Sequence, residues 1–116
     1  MEKNIKMSIL LDLYGKLLTE KQYNLLNDYY NNDFSQSEIA ENEEITRQAV
    51  RDNLKKGENN LLEYEDKLKI MEKNLEAENK INSVLDDIKN CKNKISDKEV
   101  IKLLKNIEEK LKEARR

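Results

Sequence analysis

Apolar residues recur at steps of three and four along nearly the whole chain, and no proline interrupts them. A helix turns every 3.6 residues, so this spacing collects them on one side of it. Strands would need apolar and polar residues in alternation between glycine-rich turns, and no stretch is built that way. With Glu, Lys, Leu, Asn and Ile abundant and two glycines in 116 residues, an all-α chain is expected, of one domain or one small domain with an appendage. A mean hydropathy of -0.96 alone would fit disorder. The ordering of the apolar residues into stripes argues instead for a folded, thin-cored helical protein.

Charge and chemistry exclude more than they select. The 22 basic and 24 acidic residues leave a net charge of -2, which points to neither nucleic acid nor an anionic membrane. Cys91 is the one cysteine, so no internal disulfide or cysteine zinc cluster is expected. There is no histidine, the commonest general base and metal ligand. Without a glycine-rich phosphate loop or a nucleophile beside a base, no enzyme, cofactor or metal site is expected. No segment has a signal peptide's apolar core, and no apolar run approaches the roughly 20 residues that cross a bilayer. A cytoplasmic chain is the expectation.

The first helix is expected over residues 2–17, with Ile5, Ile9, Leu10, Leu13, Tyr14 and Leu17 on its stripe and Gly15 helping to release the chain. Thr19 stands as the N-cap of the next helix, with Gln22 as its reciprocal partner in a capping box. That helix carries Tyr23, Leu26 and Tyr30 on one side, Leu25 and Tyr29 beside them, and stops at Asn31, Asn32 and Asp33. This Asn-Asp run lacks the ligand spacing, central glycine and closing glutamate of a calcium loop. Ser35 and Glu38 form another capping box before Ile39 and Ala40, that short helix ends near Asn42, and Thr46 caps the one after.

Together, SEIAE, ITRQAV and the preceding LLTEKQ...YYNNDFS resemble region 4 of bacterial sigma factors. More closely, residues 7–68 are similar to the YlxM family of helix-turn-helix proteins, through MSILLDLYGKLLTEKQ in front and RQAVRDNLKKGE...L..YEDKL behind. The resemblance implies a DNA-binding regulatory protein. It also implies a link to the signal recognition particle pathway, with the particle's GTPase subunit as a protein partner.

Two helices of such a motif cross at a small residue, here Ala40, with Ile39, Ile45, Val50 and Leu54 as their apolar faces. The turn favours glycine because its first residue is left-handed, and here Glu44 holds that place, at a cost of roughly 1 kcal/mol. Glu43 replaces a bulky apolar residue of the related pattern. Candidate DNA contacts are Thr46, Arg47, Gln48, Arg51, Lys55 and Lys56. Arg47 and Gln48 suit guanine and adenine edges, and the lysines suit phosphates. Residues 46–56 carry +3, but residues 38–44 carry four carboxylates and residues 1–60 hold 8 basic against 11 acidic groups. Phosphate neutralisation dominates affinity, so weak to moderate DNA binding is expected, raised if two chains bind together. The acidic half equally suits a basic protein partner.

A helix-turn-helix head over residues 1–63 is expected to precede a coiled-coil-like segment over residues 64–116. Leu61, Tyr64, Leu68, Met71 and Leu75 form one stripe. After a break at Glu78, Ile81, Val84, Ile88, Cys91 and Ile95 form a second, with Cys91 read as core. Ser96 to Glu99 is read as a capping box opening a last helix, with Val100, Leu104, Ile107, Leu111 and Ala114 inward. Lys110, Lys112, Arg115 and Arg116 suit its C-terminal end. Long amphipathic helices need a partner for their stripes. Either the tail folds back on the head or two chains pair, and a homodimer is the expectation.

Overall fold

The structure, a computed structural model, describes residues 1–115; Arg116, expected among the closing charges, lies outside them. Six α-helices follow one another: α1 (Lys3–Tyr14), α2 (Glu20–Tyr30), α3 (Gln36–Glu43), α4 (Arg47–Leu68), α5 (Ile70–Lys94) and α6 (Lys98–Ala114). A 3-10 turn spans Gly15–Leu17, and the described residues contain no strand, so the fold is all-α as the spacing predicts. The helices divide into a first unit, Met1–Met71, and a second that begins at Glu72.

In the first unit α4 packs against α1, α2 and α3. The core is built from Met7, Leu10, Leu11 and Tyr14 of α1, Leu25 and Leu26 of α2, Ile39 and Ala40 of α3, and Val50, Leu54 and Leu61 of α4. The α1 stripe differs from the expected one: Ile5 and Leu17 are 52% and 56% exposed, and Met7 and Leu11 are buried in their place. This helix is apolar on nearly every side, so spacing alone does not choose the inward face. It also ends at Tyr14, earlier than expected, because Gly15 turns into the 3-10 segment.

Gly15 does not take a left-handed conformation. Its place is set by the Tyr23 ring, which lies over it; an added Cβ would meet that ring at 2.7 Å. Tyr23 is accordingly turned outward from the core side of α2. Gly57 serves α4 in the same way, since a Cβ there would stand 2.7 Å from Leu26 Cδ1. Thr19 caps α2 by accepting from the Gln22 amide at 3.2 Å, but the Gln22 side chain does not return the bond. It is buried instead, its Oε1 accepting from Asn60 Nδ2 at 3.5 Å.

The main turn behind α4 falls at Lys69, which is left-handed at φ 54°. Helix α5 then runs unbroken through Glu78, where the apolar pattern passes from one stripe to the next. No proline or glycine stands there, so the change of apolar phase is a change of face along one helix.

In the second unit, α5 and α6 form a hairpin whose seam keeps Ile81, Ile88, Ile95, Leu104 and Leu111 of the expected stripes and moves by one residue at the positions between them. The shielded positions are Ile81, Leu85, Ile88, Lys92 and Ile95 on α5, and Ile101, Leu104, Glu108 and Leu111 on α6. Val84, Cys91, Val100 and Ile107 are exposed, which corrects the reading of Cys91 as core. At the 91/92 and 107/108 positions an ion pair takes the seam: Lys92 Nζ lies 2.6 Å from Glu108 Oε1, both side chains largely shielded. Their aliphatic stems fill places that the spacing assigns to apolar residues. Asp97, not Ser96, caps α6, accepting from the amides of Glu99 at 2.9 Å and Val100 at 3.3 Å.

Candidate nucleic-acid interface

The α3–turn–α4 segment follows from local chemistry. Ser35 Oγ accepts from the Glu38 amide at 3.1 Å, and Glu38 Oε1 accepts from the Ser35 amide at 3.1 Å, closing the capping box. Four-residue spacing then carries the chain to Glu44, left-handed at φ 55°, as the motif requires. The Ile45 amide donates to Ala40 O at 3.0 Å, and Thr46 Oγ1 caps α4 by accepting from the Ala49 amide at 3.0 Å. Ile39, Ala40, Val50 and Leu54 are buried where the helices meet, with Ile45 packed at their edge. This arrangement directs the first turns of α4 outward.

Thr46, Arg47, Gln48, Arg51, Lys55 and Lys56 are all exposed. Positions 47, 51 and 55 follow each other at four-residue steps along one flank of α4. Arg51 and Lys55 line a cleft of about 300 Å³ with Lys3, Asn4, Tyr29, Tyr30, Gln36, Leu54 and Glu58. Gln48 lies on the neighbouring strip, where its Nε2 donates to Asp52 Oδ1 at 2.9 Å. The amide best suited to an adenine edge is thus tied to a carboxylate on the same exposed surface.

Within the cleft the single carboxylate is already engaged. Tyr30 donates a short hydrogen bond to Glu58 Oε1, and Lys3 Nζ lies 3.5 Å from Glu58 Oε2. Burial, then the bond to Glu58, raises the Tyr30 phenol above its ordinary pKa. Arg51 and Lys55 are thereby left without an ion-pair partner among the described residues, at the N-terminal end of α3. Two cations in a cleft whose carboxylate is engaged, near the start of α3, form an environment for an anionic oxygen.

Lys3, Gln36, Tyr30 and Glu58 are absent from the sequence-derived site. Tyr30 and Glu58 are 28 residues apart, so no local spacing links them. The available signal is that Glu58 repeats the flank of Arg51 and Lys55 at seven and three residues. On α3 and its cap the four carboxylates Glu38, Glu41, Glu43 and Glu44 are exposed. No group of histidine, cysteine, aspartate or glutamate among the described residues is placed to hold a metal. No helix among them is long and apolar enough to cross a membrane.

Comparison with known proteins agrees with this architecture. Residues 1–107 match a family model described as "Putative helix-turn-helix protein, YlxM / p13 like". A UPF0122 protein of Clostridium kluyveri is 49% identical over 91% of this chain and 95% of its own length. A UPF0122 protein of Clostridium acetobutylicum is 44% identical over 93% of each chain, and one of Acetivibrio thermocellus is 42% identical over 97% of each.

Proposed function

Because the chain belongs to the UPF0122 family of YlxM- and p13-like helix-turn-helix proteins, which is not an enzyme family, we propose that it is a cytoplasmic DNA-binding regulatory protein. The observation that carries this reading is the outward first half of α4, with Arg51 and Lys55 free of ion pairs beside the start of α3. Arg47, at the tip, is the base-reading residue. Arg51, Lys55 and Lys56 contact phosphates, and Thr46 and Gln48 complete the surface. Residues 1–63 act as the reading head and residues 64–116 as the segment that joins two chains.

Affinity is modest, because Asp52 and the α3 carboxylates repel the duplex that the cations attract. Fluorescence anisotropy with duplex DNA at several salt concentrations tests the proposal. Binding should weaken steeply with salt. Arg51→Ala and Lys55→Ala should each flatten the slope of log K against log salt by about 1. Arg47→Ala should cost roughly 1–3 kcal/mol on the preferred sequence and relax the preference. Absence of binding at low salt would overturn the reading.

The exposed carboxylates of α3 favour a second reading, in which this face docks a basic protein. The signal recognition particle GTPase is then the partner, as the family resemblance implies. Co-purification with that subunit after nuclease treatment, from a strain in which the head binds no duplex, would favour it over the first.

A further inference from the structure

We propose that the outer side of the α5–α6 hairpin docks a second copy of this chain, α6 against α6 in antiparallel, with Glu99 of each copy beside Lys110 of the other. This rests on the proposed pairing of two chains and goes beyond it by assigning surface and register.

The apolar arc of α6 is wider than the hairpin covers. Ile101, Leu104 and Leu111 turn into the seam, while Val100, Leu103 and Ile107 remain 36%, 62% and 44% exposed. On α5, Val84 is 42% exposed and Cys91 is exposed seven residues on. In both helices each exposed apolar residue directly precedes a seam residue: 84 before 85, 91 before 92, 100 before 101, 103 before 104, 107 before 108. In an antiparallel pair the same rotational offset reaches the same side. The five residues therefore share one face.

That face is needed for stability. Ile88 is the one buried hydrophobic residue of this unit among the described residues. Helices joined by so small a core do not hold themselves in water, because most helical stability comes from burying an amphipathic face.

Charge identifies the occupant. Glu99 and Lys110 stand eleven residues apart, which is close to three turns, so both border the same edge of the stripe. Neither side chain has an ion-pair partner among the described residues. A partner surface of one sign would meet repulsion at one of them. A second α6 running the other way offers Lys110 to Glu99 and Glu99 to Lys110, and it also sets opposite helix dipoles side by side.

Sedimentation of the full chain at concentrations of about tens of micromolar tests this. Wild type should be a dimer, and Leu103→Asp and Ile107→Asp should each be monomeric, with circular dichroism keeping the helical signal of α1 to α4 and losing part of that of α5 and α6. Dimers persisting in both variants would overturn the surface while leaving chain pairing in place; a monomeric wild type would overturn both. Glu99→Lys and Lys110→Glu should each raise the dissociation constant several-fold, and the double variant should return toward wild type. If the double variant is weaker than either single one, the antiparallel register is wrong.

Discussion

Tyr14, the last residue of α1, donates a 2.7 Å hydrogen bond to Glu65 Oε1 near the end of α4. The phenol oxygen also accepts from the Ile70 amide at 3.1 Å, and the same carboxylate oxygen accepts from the Met71 amide at 3.0 Å. Two side chains 51 residues apart thus satisfy the opening amides of α5 just behind the left-handed Lys69. Tyr14→Phe keeps the ring in the core but leaves the Ile70 amide without its acceptor. It should cost about 1–3 kcal/mol in urea unfolding. Faster hydrogen exchange at Ile70 and Met71 than elsewhere in α5 would locate the loss at this corner.

At Gly57 two effects oppose each other. Alanine is the better helix former by about 1 kcal/mol. Its Cβ would stand 2.7 Å from Leu26 Cδ1 and 3.3 Å from Leu26 Cγ, and Leu26 is fully buried. Overpacking of this kind costs about 1–3 kcal/mol. Gly57→Ala should therefore be net destabilising by roughly 1 kcal/mol, and substantially less so when made in a Leu26→Ala background. Thermal melts of the four proteins in that cycle decide it.

Glu44 is the opposite case, a side chain where the backbone favours glycine. Glu44→Gly should raise stability by up to about 1 kcal/mol, since it removes left-handed strain. It also deletes one α3 carboxylate, so duplex affinity should rise with it. A melting temperature unchanged or lowered would show that the strain is already relieved locally.

Asp52 accepts a hydrogen bond from Gln48, and in the proposed DNA-binding reading its charge opposes the duplex. Asp52→Ala should tighten DNA binding in anisotropy, and Gln48→Ala should change wild-type binding little while weakening binding in the Asp52→Ala protein. If Asp52→Ala binds no better than wild type, this strip of α4 lies away from DNA.

Alkaline pH should destabilise the first unit. The Tyr30 phenol ionises near 10 in the unfolded chain and higher in the folded one, through burial and Glu58. Tyr14 is raised as well, through burial and Glu65. Below about pH 10 both chains hold these protons; above it only the folded chain does, so stability falls as pH rises. Melting temperatures between about pH 8 and 11 should decline less steeply in Tyr30→Phe.

The parts of this fold that were legible in sequence are those written in neighbouring residues. Ser35 with Glu38, Thr46, and the left-handed Glu44 place the turn without reference to the rest of the chain. The inward face of α1 was legible only in part, at Leu10 and Tyr14, because a helix apolar on most sides is oriented by its partners. The Arg51 cleft escaped for a related reason: its floor is Tyr30 and Glu58, which become neighbours only once α2 packs on α4. In the hairpin seam Lys92 and Glu108 stand where Cys91 and Ile107 were expected, because the two charged residues read as surface residues until they are paired.

That ion pair also decides how the hairpin is aligned. A leucine seam tolerates sliding by a whole turn, since one aliphatic side chain fills another's place at little cost. Slide α6 by one turn and Lys92 loses Glu108, leaving a shielded ammonium among isoleucines and leucines. An uncompensated charge so placed costs on the order of 3–5 kcal/mol. Lys92 and Glu108 thus act as an index mark between α5 and α6. Inserting or deleting a turn in either helix would have to move its charged residue by the same amount.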